Sequence, residues 1–418
     1  MKQHTDILII GGGAIGICCA HYLNSLGRKV TLVEKGDIGC GASLGNAGLV
    51  ITGQSIPLAA PGVISKGLKW MLDPESPFYI KPRLNFNLLQ WLWKFSRHCT
   101  PAHLDRAVPI LGNLQRTSMD LFKELAAVEG LDLGFRQKGI LDAYGNHQEF
   151  EKGVKTARLL RKFGLENQIL NTGNIRELFP GFRIRAVGGI YYTQDAHLVP
   201  DRFVRGLAQF ARQNGTVICT DTEVIGMQTS GRRINTVQTT RGDFKADDIV
   251  LAGGSWSPRI IGDLNLKLLV QPAKGYSITY RRPPGFPDIP LILAEAKVAI
   301  TPMDDVVRFA GTLELAGLDL SINRRRVNAI LKSIPQYLPD FDIHALELIE
   351  IWRGLRPCTP DGLPYIGRPA NFDNLIVATG HAMKGISLAP VTGKLVARLA
   401  AGKRPDVDIS ALNIERFG

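Results

Sequence analysis

The sequence predicts an α/β fold: a nucleotide-binding part assembled from separated stretches of chain, joined to a second, α+β part built on a mixed or antiparallel sheet. Three observations lead there. An apolar run ending in glycines occurs at residues 7–13, 249–254 and 375–380. The first of these opens a strand, glycine turn, helix, strand and acid, in that order, between Thr5 and Glu34. From about residue 270 to about 350 the chain changes character, with several short strand-like segments and the proline-bearing turn Arg282 to Pro290.

The opening unit gives each residue type a physical task. Asp6 to Ile10 is a compact apolar run suited to a buried parallel strand. Gly11 permits the tight turn, Gly13 lets backbone approach a pyrophosphate, and Gly16 lets the following helix pack closely on the strand. The helix spans Ala14 to Leu26, with Ala14 and Ile15 in its first turn, and Gly27 closes it. Phosphates would face its free N–H groups and positive end. A second strand, Val30 to Val33, ends at Glu34, 21 residues beyond Gly13, where a carboxylate can accept hydrogen bonds from ribose hydroxyls and repel a 2′-phosphate. This is a Rossmann-like unit for the adenosine diphosphate end of a dinucleotide. It disfavours NADP and leaves FAD and NAD both open.

Further along, Gly39 to Val50 is a loop of small residues. Its glycines and Ser43 either follow a ligand or form a plain surface loop. Leu58 to Cys99 carries Trp70, Trp91 and Trp93 among lysines and arginines, with an amphipathic helix over Leu88 to Phe95. That stripe reads as internal packing or as contact with a membrane or partner. Helices follow over Ile110 to Val128, Phe150 to Phe163, Val204 to Asn214, Arg326 to Ile334 and Ala389 to Leu399. Strands are expected at Gly139 to Tyr144, at Thr216 to Cys219 and in a hairpin from Val224 to Thr239, turning at Gly231.

The chain has 418 residues and a formal charge of +12. The excess favours anionic partners, but the basic residues are scattered and no nucleic-acid-binding signature accompanies them. Six cysteines form neither a CxxC pair nor a disulfide framework, which fits a reducing compartment. The first residues do not form a signal peptide, and no apolar stretch reaches the roughly 18 residues of a membrane span. A cytoplasmic protein is expected, with peripheral contact at the inner face of the plasma membrane left open.

Several segments together resemble the FAD-dependent D-amino-acid oxidase superfamily, which includes glycine oxidase, sarcosine oxidase and bacterial D-amino-acid dehydrogenase. The diagnostic stretch is Trp352 to Gly367, continued by Asn374 to His381 and Gly385 to Pro390, with Asp195 to Pro200 as an interdomain motif. Gly45 to Gly48, Ala59 to Gly62 and Lys69-Trp70 look most like the dehydrogenase branch.

The resemblance implies non-covalent FAD, since Cys358 does not match the attachment position of monomeric sarcosine oxidase, which falls closer to Gly354. It implies an FAD-binding domain from residues 1–60, 150–270 and 350–418, and a substrate domain from 61–149 and 271–349. Lys35, Ser43, Gly48, Val224, Gly253, Gly254, Trp256, Gly380, His381, Lys384 and Gly385 would join the opening unit around the cofactor. His381 is open between flavin contact and a structural role.

The chemistry implied is hydride transfer from the α-carbon of an amine carboxylate to flavin N5. The substrate would be a D-amino acid or a cyclic D-imino acid of the D-proline or hydroxyproline type. Arg356 matches the residue that holds the substrate carboxylate, as a planar donor fork suits. Two departures from the glycine-oxidase pattern, Met383 for an arginine and Ala299 for an aromatic residue, imply a site with room for a larger substrate. A quinone or electron-transfer partner is expected as acceptor. The alternatives are an oxygen-using glycine or sarcosine type oxidase and a non-catalytic flavoprotein.

Overall fold

A computed structural model describes residues 3–417 apart from Leu72, Pro74 and Leu84. The opening unit is β1 (Gln3–Ile10), α1 (Ala14–Asn24) and β2 (Val30–Val33), with Gly27 in the left-handed region just beyond the helix. Ile7 to Ile10 are buried on both faces, as a central parallel strand requires. β1 lies between β2 and the strand Gly242–Leu251, parallel to both. On the far side of that strand, Leu375–Thr379 pairs in parallel, so both ends and the middle of the chain meet in one eight-stranded sheet. The hairpin Val224–Ser230 and Arg233–Thr239 extends it, turning at Gly231 as its left-handed backbone allows. The helix Ala389–Ala400 packs on α1 so closely that a side chain at Gly393 would meet the Cys18 carbonyl at 2.6 Å.

The second sheet has nine strands and is mixed. One end of it is antiparallel, with Gln271–Arg281 between Leu348–Cys358 and Val306–Leu315. Parallel pairs join Ile140–Tyr144 to Leu291–Leu293 and Phe78–Ile80 to Val306–Leu315. The helix Arg324–Tyr337 covers one face through Val327, Ile330 and Ile334, which pack with Tyr276, Ile278 and Phe309.

Three strands sit across the expected domain boundaries. Gln168–Leu170, Gly188–Tyr192 and Leu348–Cys358 fall at positions expected in the FAD-binding part, yet all are hydrogen-bonded into the second sheet. The expected short strands between about 270 and 350 include two long ones, of 11 and 10 residues. They are long because each is paired along both edges, which sequence periodicity does not register.

The Trp-rich stretch forms α2 (Val63–Met71) and α3 (Phe86–His98). Trp91 packs inside, stacked on Phe95, with its indole N–H donated to the Cys358 carbonyl at 2.9 Å. Trp93 is 52% exposed, and no residue of α2 is buried. Among the described residues, no helix is long and apolar enough to cross a membrane.

Candidate cofactor and substrate site

A cavity of about 500 Å³ opens where β1, β2, Gly242–Leu251 and Leu375–Thr379 all end. Ligands of open α/β sheets bind outside these carboxyl ends. Gly11, Gly13, Ala14, Ile15, Glu34, Lys35 and Ser43 line it from the opening unit, Val224, Gly253, Gly254 and Trp256 from the middle, and His381 and Gly385 from the end of the chain. Arg356 lines it too. Gly16, Gly48, Gly380, Lys384, Ala299 and Met383 are not among the residues that line it.

The glycines are where side chains cannot go. Gly11 has φ +114°, and an added Cβ would stand 2.6 Å from the Ala252 carbonyl oxygen across the sheet. At Gly16 it would collide with the Gly11 carbonyl, so helix and turn close on each other only without it. Gly48 and Gly380 are also in the left-handed region, packed against the Leu198 carbonyl and the Thr359 methyl. Gly254, by contrast, would project a Cβ into open space.

At one end, Glu34 accepts the Gly12 N–H at 2.7 Å and the Gly36 N–H at 3.0 Å, which fixes its carboxylate at the end of β2 with lone pairs remaining. Ser43 Oγ accepts the Ala14 N–H at 3.0 Å and so ties the small-residue loop to the start of α1. The Lys35 ammonium lies 4.1 Å from the centre of the Trp256 ring. Further in, Arg308 donates to the carbonyls of Leu44 and Asn46 at 2.7 and 2.9 Å, clamping the loop to the second sheet. Arg308 was not among the expected site residues. Its signal in the sequence is a single charge inside the apolar run Val306 to Ala310.

At the other end, Arg356 Nη1 donates to the Thr312 carbonyl at 2.6 Å, and its guanidinium lies over Gly275. Thr312 is held at φ +59°, a conformation a branched residue adopts at a cost of about 1–3 kcal/mol. Burial pulls the Arg356 pKa below the usual arginine value, against a weaker opposing effect of Cys358. No carboxylate pairs with it among the described residues. A half-buried guanidinium without an acid leaves most of its donor fork free for an anion.

His381 is buried, and burial pushes its pKa down to about 3, so the ring is neutral. Thr392 Oγ donates to the Leu388 carbonyl, so it accepts from His381 Nε2–H at 2.9 Å. That leaves Nδ1 as a buried acceptor with no partner among the described residues. Lys384 donates to the Gln54 carbonyl at 2.9 Å; burial pushes its pKa down to about 8, opposed by the attraction of Asp195. Met383 is 42% exposed.

Residues 6–399 match the family described as FAD dependent oxidoreductase. The chain belongs to this FAD-dependent oxidoreductase family. A D-amino acid dehydrogenase of Granulibacter bethesdensis is 32% identical over 98% of this chain and 99% of its own length. One from Vibrio atlanticus is also 32% identical, over 99% and 100%. Among solved structures, glycine oxidase from Geobacillus kaustophilus superposes with a TM-score of 0.80 at 25% identity, covering 99% of both chains. L-proline dehydrogenase from P. horikoshii, at 20% identity, shares the fold with a TM-score of 0.76 and 100% of this chain covered.

FAD is the cofactor of this FAD-dependent oxidoreductase, and the residues present fit it. The glycine cradle at Gly11 and Gly13 faces the start of α1, Glu34 has free lone pairs for a ribose, and the unpartnered His381 Nδ1 lies in the same wall. The cavity runs from these groups to Arg356. Among the described residues no cluster could hold a metal ion.

Proposed function

We propose that the protein is a dehydrogenase that oxidises D-amino acids, or cyclic D-imino acids of the D-proline or hydroxyproline type, to the corresponding imino acids, which hydrolyse to keto acids unless cyclic. One observation carries the reading: Arg356, half-buried and without an acid partner, opens on the same cavity as the glycine cradle. FAD, when bound, supplies the acceptor for the hydride that leaves the substrate α-carbon.

The chain's part is orientation. Arg356 binds the substrate carboxylate, and its bond to the Thr312 carbonyl keeps the fork from swinging. Gly275 and Gly354 leave the space that the guanidinium and Trp352 occupy. The D configuration is supported by the relatives named D-amino acid dehydrogenases. Non-covalent attachment of FAD is supported by Cys358, which is fully buried and outside the cavity lining. An oxygen-using glycine-type oxidase is the second reading, favoured by the superposition on glycine oxidase.

Electrons leave, in this proposal, to a quinone or electron-transfer partner at an anionic membrane surface. Support comes from α2 and α3, where Leu68, Phe86, Leu89 and Trp93 are 62%, 76%, 59% and 52% exposed and interleaved with Lys66, Lys69, Lys94 and Arg97.

The test is anaerobic reduction of the yellow protein by a panel of D- and L-amino acids, D-proline, hydroxyproline isomers, glycine and sarcosine, followed by reoxidation with dye or oxygen. Bleaching by D-substrates with dye-dependent turnover and little peroxide is expected. Bleaching by glycine and sarcosine alone, with stoichiometric peroxide, selects the second reading. Arg356→Ala should retain FAD and raise KM by about a hundredfold or more, the loss expected for a charge-assisted bidentate contact.

A further inference from the structure

A second cavity, of about 270 Å³, lies where the end of α3 meets the start of the long helix Pro101–Ala126 and residues Arg416 and Phe417. Lys94, Arg97, Arg106 and Arg416 line it with Trp93 and Phe417, and among the described residues no Asp or Glu does. Arg416 is held from behind by Asp361 at 2.7 Å. Lys94 donates to the Phe417 carbonyl at 2.9 Å, which leaves two of its hydrogens for another acceptor. Lys94 and Arg97 lie 5.6 and 5.1 Å from the centre of the Trp93 ring. His98 and His103 share the wall, their ring centres 5.0 Å apart. Burial lowers the His103 pKa, and repulsion by His98 and Arg106 lowers it further, against the bond to the Asp361 carbonyl. Thr100 and His103, at the start of Pro101–Ala126, line the cavity too; the first turn of that helix carries no acid, so its positive end adds to the same field.

α3 has two apolar faces. Leu88, Trp91 and Phe95 pack inward. Phe86, Leu89, Trp93 and Arg97 follow at i, i+3, i+7 and i+11, one stripe along the exposed side. That stripe begins in apolar side chains and ends in a cation, and Trp93 and Arg97 line the cavity. A lipid surface has the same order of chemistry, hydrocarbon beside anionic phosphate, with Trp favoured at the junction. A free phosphate ester would occupy the cations and leave Phe86 and Leu89 in water. The volume falls just below the range of about 300–1,000 Å³ that holds a drug-sized ligand, so it suits a small headgroup.

We propose that this cavity binds the phosphodiester headgroup of an anionic glycerophospholipid, with the exposed stripe of α3 lying in the membrane interface beside it. The proposal rests on the reading that α2 and α3 meet an anionic membrane surface, and it gives that contact a built anion site in place of diffuse charge. The Arg97 and Arg106 guanidiniums and the Lys94 ammonium donate to the phosphate oxygens, while Arg416, fixed by Asp361, forms the inner wall.

Cosedimentation of the FAD-loaded protein with phosphatidylglycerol or phosphatidylcholine vesicles, at fixed ionic strength, is the test. Arg97→Gln combined with Arg106→Gln should weaken binding to phosphatidylglycerol vesicles by about tenfold or more, the loss expected for two cations at the surface. Arg212→Gln combined with Lys245→Gln removes the same charge from exposed positions outside the cavity and should weaken it by about threefold or less. FAD content and melting temperature report that each protein is folded. Equal losses in the two pairs overturn the headgroup site and leave the membrane reading standing; a wild type that binds neither vesicle overturns both. Release of the wild type from vesicles by glycerol 1-phosphate identifies a free phosphate ester as the occupant and overturns the lipid assignment. A protein extended beyond Gly418 by about four Gly and Ser residues is expected to bind equally. Binding that rises sharply in the extended protein would show that the terminal carboxylate takes the cations, and that result also overturns the proposal.

Discussion

Gly11→Ala places one methyl group where the backbone leaves no space. Its Cβ would stand 2.6 Å from the Ala252 carbonyl oxygen, against about 3.3 Å for an ordinary C···O approach, so the turn must retreat by about 0.7 Å. The φ of +114° adds strain of about 1–3 kcal/mol for any residue with a Cβ, and overpacking adds a similar amount. Together these cost about 2–6 kcal/mol, shared between the stability of the fold and a displacement of the glycine cradle. A share of about 1.4 kcal/mol taken by displacement weakens FAD tenfold. Titrating the apoprotein with FAD by fluorescence, alongside thermal melts, reads both shares. Gly262→Ala is the control, because nothing lies within 4 Å of its Cβ. Wild-type affinity and melting temperature in Gly11→Ala would refute the argument that this turn is built to a glycine.

Two further outcomes are expected. Burial lowers the His381 pKa from 6.5 in the unfolded chain to about 3 in the folded one, so the unfolded state binds the extra proton as pH falls through 6.5. Stability contributed by the neutral ring is therefore complete above that pH and lost below it; melts at about pH 7 and about pH 5 should show a drop that is smaller in His381→Gln. Binding to vesicles of anionic lipid should exceed binding to neutral ones, weaken with salt, and fall when Phe86, Leu89 and Trp93 are changed to serine. Equal sedimentation with both vesicle types would remove the membrane surface from the proposal.

Local signals were legible and cross-strand ones were not. Between Thr5 and Glu34 the glycine spacing and the apolar periodicity are local signals, and they predict the turn, the helix and the terminal acid. The strand Gln271–Arg281 offers no such pattern: Lys274, Ser277 and Thr279 are buried along with Tyr276 and Ile278, because the strand is paired along both edges and covered on both faces. The clamp made by Arg308 is not legible in the sequence, because the carbonyl it holds at Leu44 is 264 positions away. Arg356 was found through its motif, not through periodicity. The expectation for Met383 came from the same resemblance, and the side chain is largely outside at 42% exposure.

The most direct measurement is anaerobic mixing of the FAD-loaded protein with paired D- and L-enantiomers while flavin absorbance is followed. Arg356 and the cavity it shares with the glycine cradle predict rapid bleaching by D-amino or D-imino acids, lost at the same substrate concentration in Arg356→Ala. Bleaching by L-enantiomers alone, or bleaching that Arg356→Ala leaves intact, would contradict the reading.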